Sequence, residues 1–367
     1  MTSPPRGSTP WPPEPARPGQ RSDRQIEALM GIRGARQAAW RRIIRVAVGA
    51  VVIAGVVAAS AAVVTTVVPK APGAPRNPEA PYGYHHVIVK LPAHPDSYLG
   101  AYATGVPGSY APIEAFSKTT GIQQNIALYY SGWWEPFKTA FAADAAHFGA
   151  IPLIQMDPNH YSLTAIAAGR YDSYLSKFAN AVARYGSQTG HGVIIGFGHE
   201  PNGDWYPWGR GHVSPAIWVA AWRHVVDVFR QEGADNVTWL WTVNIIDERH
   251  GHIPAPDPWW PGSSYVTWVG IDGYYLRPSW TFASLFGPTI KAVRALTLDP
   301  ILISETGAAP VANKPAKIAD LFAGSRAYGL LGFVWFNANR TRDWRLSAPA
   351  AVAAYRRGAK TFKRAEQ

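Results

Sequence analysis

Short apolar segments alternate with amphipathic segments through most of the chain after residue 96. The apolar segments are rich in β-branched and aromatic side chains, which is typical of buried strands. They lie at residues 98–103, 124–130, 150–156, 193–199, 237–244, 266–273, 300–305 and 330–336. Helical spacing of apolar positions occurs at residues 136–148, 165–186, 214–232, 282–296, 315–328 and 348–362. This alternation predicts parallel strands that are joined by helical crossovers.

Eight predicted strands in about 265 residues favour an α/β fold of the closed (β/α)8 TIM-barrel type over an open doubly wound sheet. The fifth crossover, residues 245–265, has no segment with clear helical spacing, so we expect it to be mostly loop. Active sites of such barrels lie on the loops that follow the strands. Polar residues at the carboxyl ends of the strands are therefore the candidates for chemistry.

An uncharged run of 23 residues, 46–68, precedes the predicted barrel. As a helix it would span the roughly 30 Å hydrocarbon layer of a membrane. Arg41, Arg42 and Arg45 come directly before it, so the positive-inside rule places the N-terminal tail in the cytosol. The alternatives are a cleaved secretory signal, with residues 59–61 as the cleavage site, and a buried core helix. We favour an uncleaved anchor because the run exceeds the roughly 7–15 residues of a signal core.

The sequence is thus predicted to have four parts. Residues 1–42 form a disordered, basic, Pro-rich cytoplasmic tail, and residues 43–68 form a transmembrane signal anchor. Residues 69–96 form a Pro-rich spacer, and residues 97–367 form the catalytic barrel. We expect a single-pass membrane protein whose barrel lies outside the cytoplasm, or a secreted protein if the anchor is cleaved. We expect the protein to be a monomer.

Composition and charge remove several classes of function. The 367 residues include no cysteine, so thiolate metal sites, thiol nucleophiles and disulfides are excluded. Of the net charge of +11, residues 1–45 contribute +6, and no basic stripe marks the remainder, so no nucleic-acid partner is expected. The first predicted strand is not followed by a Gly-rich phosphate loop, so we expect no nucleotide cofactor.

Two carboxylic acids stand at the ends of predicted strands. Glu200 follows the fourth strand and Glu305 ends the seventh. A carboxylate beside an apolar strand is costly to desolvate, and two on one barrel rim have a joint use in glycoside hydrolysis. One acid protonates the leaving oxygen while the other attacks the anomeric carbon.

Aromatic residues concentrate at the same strand ends, and flat rings suit stacking on the C–H faces of pyranoses as well as ordinary core packing. They are Trp133, Trp134, Trp205, Tyr206, Trp208, Trp241, Tyr274, Tyr275 and Trp335.

The ordered motifs resemble glycoside hydrolase family 26, the β-mannanase family of retaining barrel glycosidases. The similarity rests on HEPNGDWYPWG at residues 199–209, on WPG at 260–262 leading into VGIDGY at 269–274, on SETG at 304–307, and on Trp335. The resemblance implies Glu200 as the acid/base and Glu305 as the nucleophile. The substrate-binding residues that it implies are His199, Asn202, Trp205, Trp208, Tyr274, which would also orient the nucleophile, and Trp335 as the sugar platform.

The chain also departs from the family pattern. Family members often have a histidine near the end of the third strand, where this chain has Asp157 and, three residues later, His160. Either Asp157 or His160 is a candidate for that role, and Asp157 is included among the predicted substrate-binding residues. The first substrate expected from the resemblance is β-1,4-mannan, and xylan, mixed-linkage β-glucan and a self-made exopolysaccharide are the alternatives.

Other classes of function were weighed against this interpretation. A zinc peptidase is disfavoured because Gly203 stands where the second histidine of HExxH is required. His250 and His252 lack a third ligand, so no metal is expected. A non-catalytic polysaccharide-binding barrel stays open, although binding alone requires no pair of carboxylic acids.

Overall fold

The structure, a computed structural model, describes residues 87–247 and 253–363. The predicted tail and anchor, most of the spacer, and both histidines of the fifth crossover lie outside these ranges. Among the helices within them, none has the length and apolar character that a membrane span requires.

Eight parallel strands close into a barrel in the order of the chain, which confirms the predicted fold class. Every predicted strand is present, with shifts of a few residues at the ends. The strands are β1 (Tyr98–Pro107), β2 (Ile126–Gly132), β3 (Ile151–Asp157), β4 (Val193–Phe197), β5 (Val237–Asn244), β6 (Trp268–Tyr275), β7 (Ile301–Ala308) and β8 (Gly332–Asn337).

Helices follow seven of the eight strands in the described residues. They are α1 (Ala111–Thr120), α2 (Thr139–His147), α3 (Leu163–Ala167), α4 (Asp172–Thr189), α5 (Pro215–Gln231), α6 (Phe282–Arg294), α7 (Lys314–Ala327) and α8 (Pro349–Ala359). The segment 165–186, predicted as one helix, is two, because Gly169 adopts a left-handed conformation (φ 75°) between them. Helix α1 was not predicted. As expected, the fifth crossover is mostly loop, with one 3-10 turn at Asp257–Trp259 in its described part.

Alternate residues of each strand point to two separate cores. One core consists mainly of strand residues such as Tyr98, Ile126 and Val334, and it fills the barrel interior. The other joins strand residues such as Leu99 to the apolar faces of the helices. This alternation decides which side chains at the strand ends reach the mouth of the barrel.

Candidate active site

Glu200 lies at the mouth, three residues after the end of β4 at Phe197, where the backbone has left the strand conformation. Its φ of 53° is in the left-handed region, which is unusual for a residue with a side chain. The Glu200 amide donates to the carbonyl of Thr242 in β5 at 3.0 Å. Its carboxyl group accepts hydrogen bonds from Asn244 Nδ2 at 2.5 Å and from the indole Nε1 of Trp205 at 2.6 Å. Both carboxyl oxygens are therefore fixed.

The position of Trp205 depends on the glycine two residues before it. A Cβ on Gly203 would come within 2.3 Å of the Trp205 ring, so only glycine lets the indole lie across its own loop. The glycine therefore allows the Trp205 side chain to fold back and donate to Glu200, five residues earlier in the chain.

His199 is buried beside the acid and is held by two neighbours. Its Nδ1 lies 2.9 Å from Asp157 Oδ1, and its Nε2 lies 3.0 Å from the hydroxyl of Tyr206. Burial by itself would lower the pKa of His199, but the charge and hydrogen bond of Asp157 raise it to about 9. Burial also raises the pKa of Asp157, although His199 acts against that rise. The pair therefore holds an imidazolium next to Glu200 at neutral pH.

Glu305 is held by two tyrosines on the other side of the mouth. The hydroxyl of Tyr274, in β6, donates to one carboxyl oxygen, and the hydroxyl of Tyr130, in β2, donates to the other. Burial raises the pKa of Glu305 to about 8. The two hydroxyls act in the opposite direction because they stabilise the ionised carboxylate.

An irregular register in β7 brings Glu305 into the mouth. Leu302 belongs to the interior core and Ile303 to the outer one, so simple alternation would place Glu305 outside with Ile303. The pairing of β7 with both of its neighbours shifts between Ile303 and Thr306 and between Gly270 and Asp272. Such a shift reorients the side chains that follow it.

The two carboxyl groups lie at one level of the barrel. Asn244, which donates to Glu200, is in register with Asp272, and Asp272 is in register with Glu305. Tyr130 connects them from the opposite side, since its hydroxyl reaches Glu305 and its ring lies 5.5 Å from the imidazole of His199. Glu200 and Glu305 therefore lie at the same level of the mouth, and Tyr130 lies near both of the groups that surround them.

Burial raises the pKa of Glu200, as it raises that of Glu305. The charge of His199 and the donors Asn244 and Trp205 act in the opposite direction and lower the pKa of Glu200. The buried Asp272, which accepts a hydrogen bond from Ser304 at 2.6 Å, also has a strongly raised pKa because of burial. The pKa of Glu200 is raised overall, which is the direction that a proton donor requires.

Three of the predicted substrate-binding residues are buried close to Glu200 and His199 and hold the groups around them in place. Trp208 is buried, stacks on Tyr206 at 4.5 Å, and donates its indole N–H to the carbonyl of His199 at 2.8 Å. Asn202 is fully buried and exchanges hydrogen bonds with the backbone of Asn244. Asp157, as described, holds His199. These three side chains are buried, and each forms hydrogen bonds that hold a neighbouring group in place.

The expectation for Trp335 is corrected by the structure. In β8, Val334 and Phe336 face the barrel interior, so Trp335 points outward and packs against Tyr355 of α8. It is buried in the outer core between the strands and the helices, away from the mouth. Its indole N–H instead donates to the carbonyl of Trp344 at 3.0 Å.

Trp344 lies beside Tyr274, with 4.5 Å between the two ring centroids, and Tyr274 donates to Glu305. Trp344 is 6% exposed. It comes from the loop after β8, so strand periodicity gave no reason to prefer it.

Tyr130 and Asn244 were missed by the sequence analysis. Each stands near the end of a predicted strand, Tyr130 in β2 and Asn244 in β5, which is the signal that identified the two glutamates. At the strand ends we considered carboxylic acids as catalytic candidates, and we did not consider the amide and phenol groups that could form hydrogen bonds with those acids. Among the described residues, no group of three or more His, Asp or Glu is arranged to hold a metal ion.

An eight-stranded parallel barrel with two glutamates fixed at its mouth is an arrangement that suits glycoside hydrolysis by a pair of carboxylic acids. Residues 120–304 match glycosyl hydrolase family 26, which is half of the chain. The chain belongs to this family.

Known relatives agree with this assignment. Endoglucanase H of Acetivibrio thermocellus is 32% identical over 275 residues, which cover 70% of this chain and 30% of that protein. A mannan endo-1,4-beta-mannosidase of Bacillus subtilis is 25% identical over 127 residues, 31% of this chain and 32% of that protein. The chain spans about a third of the length of these relatives.

The fold is shared with solved structures. An endo-beta-1,4-mannanase of Cellulomonas fimi superposes with a TM-score of 0.58 at 15% identity, over 72% of this chain and 70% of that one. A GH26 beta-mannanase of Bacteroides ovatus gives 0.54 at 15% identity, over 74% and 90%.

Proposed function

We propose that the protein is a retaining endo-β-glycosidase in which Glu200 is the acid/base and Glu305 is the nucleophile. The observation that supports this assignment is the contrast between their partners. Glu305 accepts from two phenol hydroxyls, which favour an ionised and oriented carboxylate. Glu200 lies among a loop indole, an amide and His199, and the family resemblance supports its role as the proton donor.

The reaction proceeds by two displacements. A carboxylate oxygen of Glu305 attacks the anomeric carbon while the Glu200 carboxyl group gives its proton to the departing glycosidic oxygen. This forms an ester between Glu305 and the sugar. The Glu200 carboxylate then takes a proton from water, the water oxygen attacks the anomeric carbon, and Glu305 leaves as a carboxylate.

The fixed side chains around the two glutamates have separate tasks in this cycle. Tyr130 and Tyr274 hold the nucleophile for attack, and Asn244 and Trp205 hold the acid. Trp344 offers the aromatic face nearest to Tyr274, and we propose it as the sugar platform in place of Trp335.

The first candidate substrate is β-1,4-mannan, as the family resemblance implies. The matches to proteins named as mannan endo-1,4-beta-mannosidases support this choice. The second candidate is a β-glucan, which is favoured by the match to Endoglucanase H over most of the barrel. This chain covers 30% of that protein, so its name does not by itself assign the substrate of the matched part.

The experiment is reducing-end release by the full chain from galactomannan, glucomannan, xylan and mixed-linkage glucan. Glu200→Gln and Glu305→Gln serve as blanks, and Asp204→Asn, an exposed carboxylate in the same loop, is the matched control. We expect release from one polymer, lost in both blanks and retained in the control. Full activity in either blank would overturn the mechanism, and binding without release would favour a polysaccharide-binding barrel.

We also propose that the barrel is held outside the cytoplasmic membrane by an uncleaved anchor. The uncharged run at 46–68 and the arginines before it support this topology. We expect the barrel to be found in the membrane fraction of lysed cells. In intact cells, we expect it to be cleaved by protease added from outside. Recovery of a shortened chain from the medium would favour the secreted alternative.

A further inference from the structure

A cluster of aromatic side chains lies beside the catalytic centre and takes no part in it. Trp134 follows β2 and is 47% exposed, whereas its neighbour Trp133 is buried. Three tyrosine rings surround Trp134, with centroid distances of 6.0, 5.7 and 5.0 Å: Tyr161, Tyr171 and Tyr174. We call these four residues the Trp134 surface.

The backbone holds Trp134 outward at a cost. Its φ of 73° lies in the left-handed region, which bulky side chains rarely adopt. Trp133 meanwhile points inward and lies 6.0 Å from the ring of Phe197. A strained residue that exposes a large aromatic ring is a reason to look for a ligand.

A cavity of about 270 Å³ adjoins Trp134 and extends along α4. Its walls combine apolar side chains, Phe137 and Tyr174, with the polar groups of Ser173 and Lys177. A surface that offers aromatic faces together with hydrogen-bond donors matches a pyranose, which has apolar C–H faces and a polar rim.

The Trp134 surface is separated by only a few residues of chain from a side chain of the catalytic centre. Tyr130, which donates to Glu305, precedes Trp134 by four residues, so their Cα atoms lie at most about 14 Å apart. A glycan chain that leaves the mouth over the β2 rim therefore reaches Trp134 within a few sugar units.

We propose that the Trp134 surface binds a stretch of the substrate polysaccharide away from the bond that is cleaved. The proposal rests on the proposed function, because it takes the occupant to be the same β-linked polymer. If so, the enzyme binds long polysaccharides more tightly than short oligosaccharides, because only the long ones reach the Trp134 surface.

The test is affinity electrophoresis of the full chain through gels that contain galactomannan or mixed-linkage glucan. The Glu305→Gln background prevents hydrolysis during the run. Trp134→Ala removes the ring, and Trp134→Asn removes it with a residue that tolerates the left-handed backbone. Leu298→Ala, which shortens a side chain that is 87% exposed elsewhere, is the control. We expect the dissociation constant to rise about tenfold in both Trp134 variants and to stay unchanged in the control.

A second readout separates this proposal from the proposed function. In the active enzyme, the ratio of kcat/KM on the polymer to kcat/KM on a short aryl β-glycoside should fall about tenfold in Trp134→Asn. Unchanged retardation and an unchanged ratio, in an enzyme that releases reducing ends, would overturn the binding site alone. An unsubstituted chain that neither releases reducing ends nor is retarded would overturn the glycosidase assignment and this site with it.

Discussion

Replacing Tyr130 with phenylalanine removes one of the two hydroxyl donors to Glu305 and little else. The ring keeps its packing against Tyr102, at 5.4 Å, and against His199, at 5.5 Å. The change therefore isolates the hydrogen bond. Because a donor that favours the ionised carboxylate is lost, the pKa of Glu305 must rise above its already raised value of about 8.

The size of the effect follows from the energy of a hydrogen bond to a charged group, roughly 1.5–3 kcal/mol. At about 1.4 kcal/mol per pKa unit, the pKa of the nucleophile rises by about 1–2 units. The nucleophile must be ionised to attack, so the acidic limb of the kcat/KM profile moves to higher pH by the same amount. At a pH well below the original midpoint, kcat/KM falls about 10- to 100-fold.

The assay is the pH dependence of kcat/KM on a soluble substrate, since this ratio reports the ionisation of the free enzyme. Tyr129→Phe is the matched control, because Tyr129 lies next to Tyr130 in β2 but faces Phe141 in the helical layer. We expect the acidic limb to move in Tyr130→Phe and to stay in place in Tyr129→Phe. A uniform loss of activity with an unmoved limb would refute the contact between Tyr130 and Glu305.

Three further predictions follow from the same contacts. Gly203→Ala should displace the Trp205 indole from Glu200 and lower kcat by about tenfold or more, measured at saturating substrate, with Trp205→Phe giving a similar loss. Trp344→Ala should raise KM by about tenfold in initial-rate kinetics; an unchanged KM would argue against Trp344 as the platform. Burial raises the folded-state pKa of Glu305 from 4.5 to about 8, so stability is lost as pH rises through that window. Glu305→Gln should therefore increase the free energy of unfolding by about 1–3 kcal/mol at pH 8 and by little at pH 4, in urea titrations.

The fold was predictable because the signals for it are local. Buried parallel strands appear as apolar runs and the helices as amphipathic stretches, and both repeat along the chain. Helix α1 was missed because Ala111–Thr120 is short and mixes apolar with small polar residues. The division between α3 and α4 depends on the conformation of Gly169, which a periodic pattern does not encode.

The site was predictable only in part, because side-chain direction at its edges departs from strand alternation. Glu200 follows β4 with a left-handed backbone, and Glu305 lies within β7 at a register shift. Trp335 keeps to the alternation and so points away from the mouth. Partners that come from distant strands, such as Tyr130 for Glu305, become neighbours only when the barrel closes.

The supporting layer was equally hidden in the sequence. The motif at residues 199–209 gave Asn202 and Trp208 the appearance of substrate ligands, whereas both are buried and hold the backbone or side chains around the acid. A sequence motif does not distinguish residues that hold a catalytic group in place from residues that contact the substrate.

The central claim is that Glu305 becomes covalently bonded to the sugar during turnover. The most direct measurement is mass spectrometry of the full chain after incubation with a 2-deoxy-2-fluoro glycoside that has an activated leaving group, followed by peptide mapping. The account predicts one added glycosyl unit on the peptide that contains Glu305, formed also in Glu200→Gln because an activated leaving group needs no acid. A glycosyl unit on a different carboxylate, or first-formed products with inverted anomeric configuration, would contradict it.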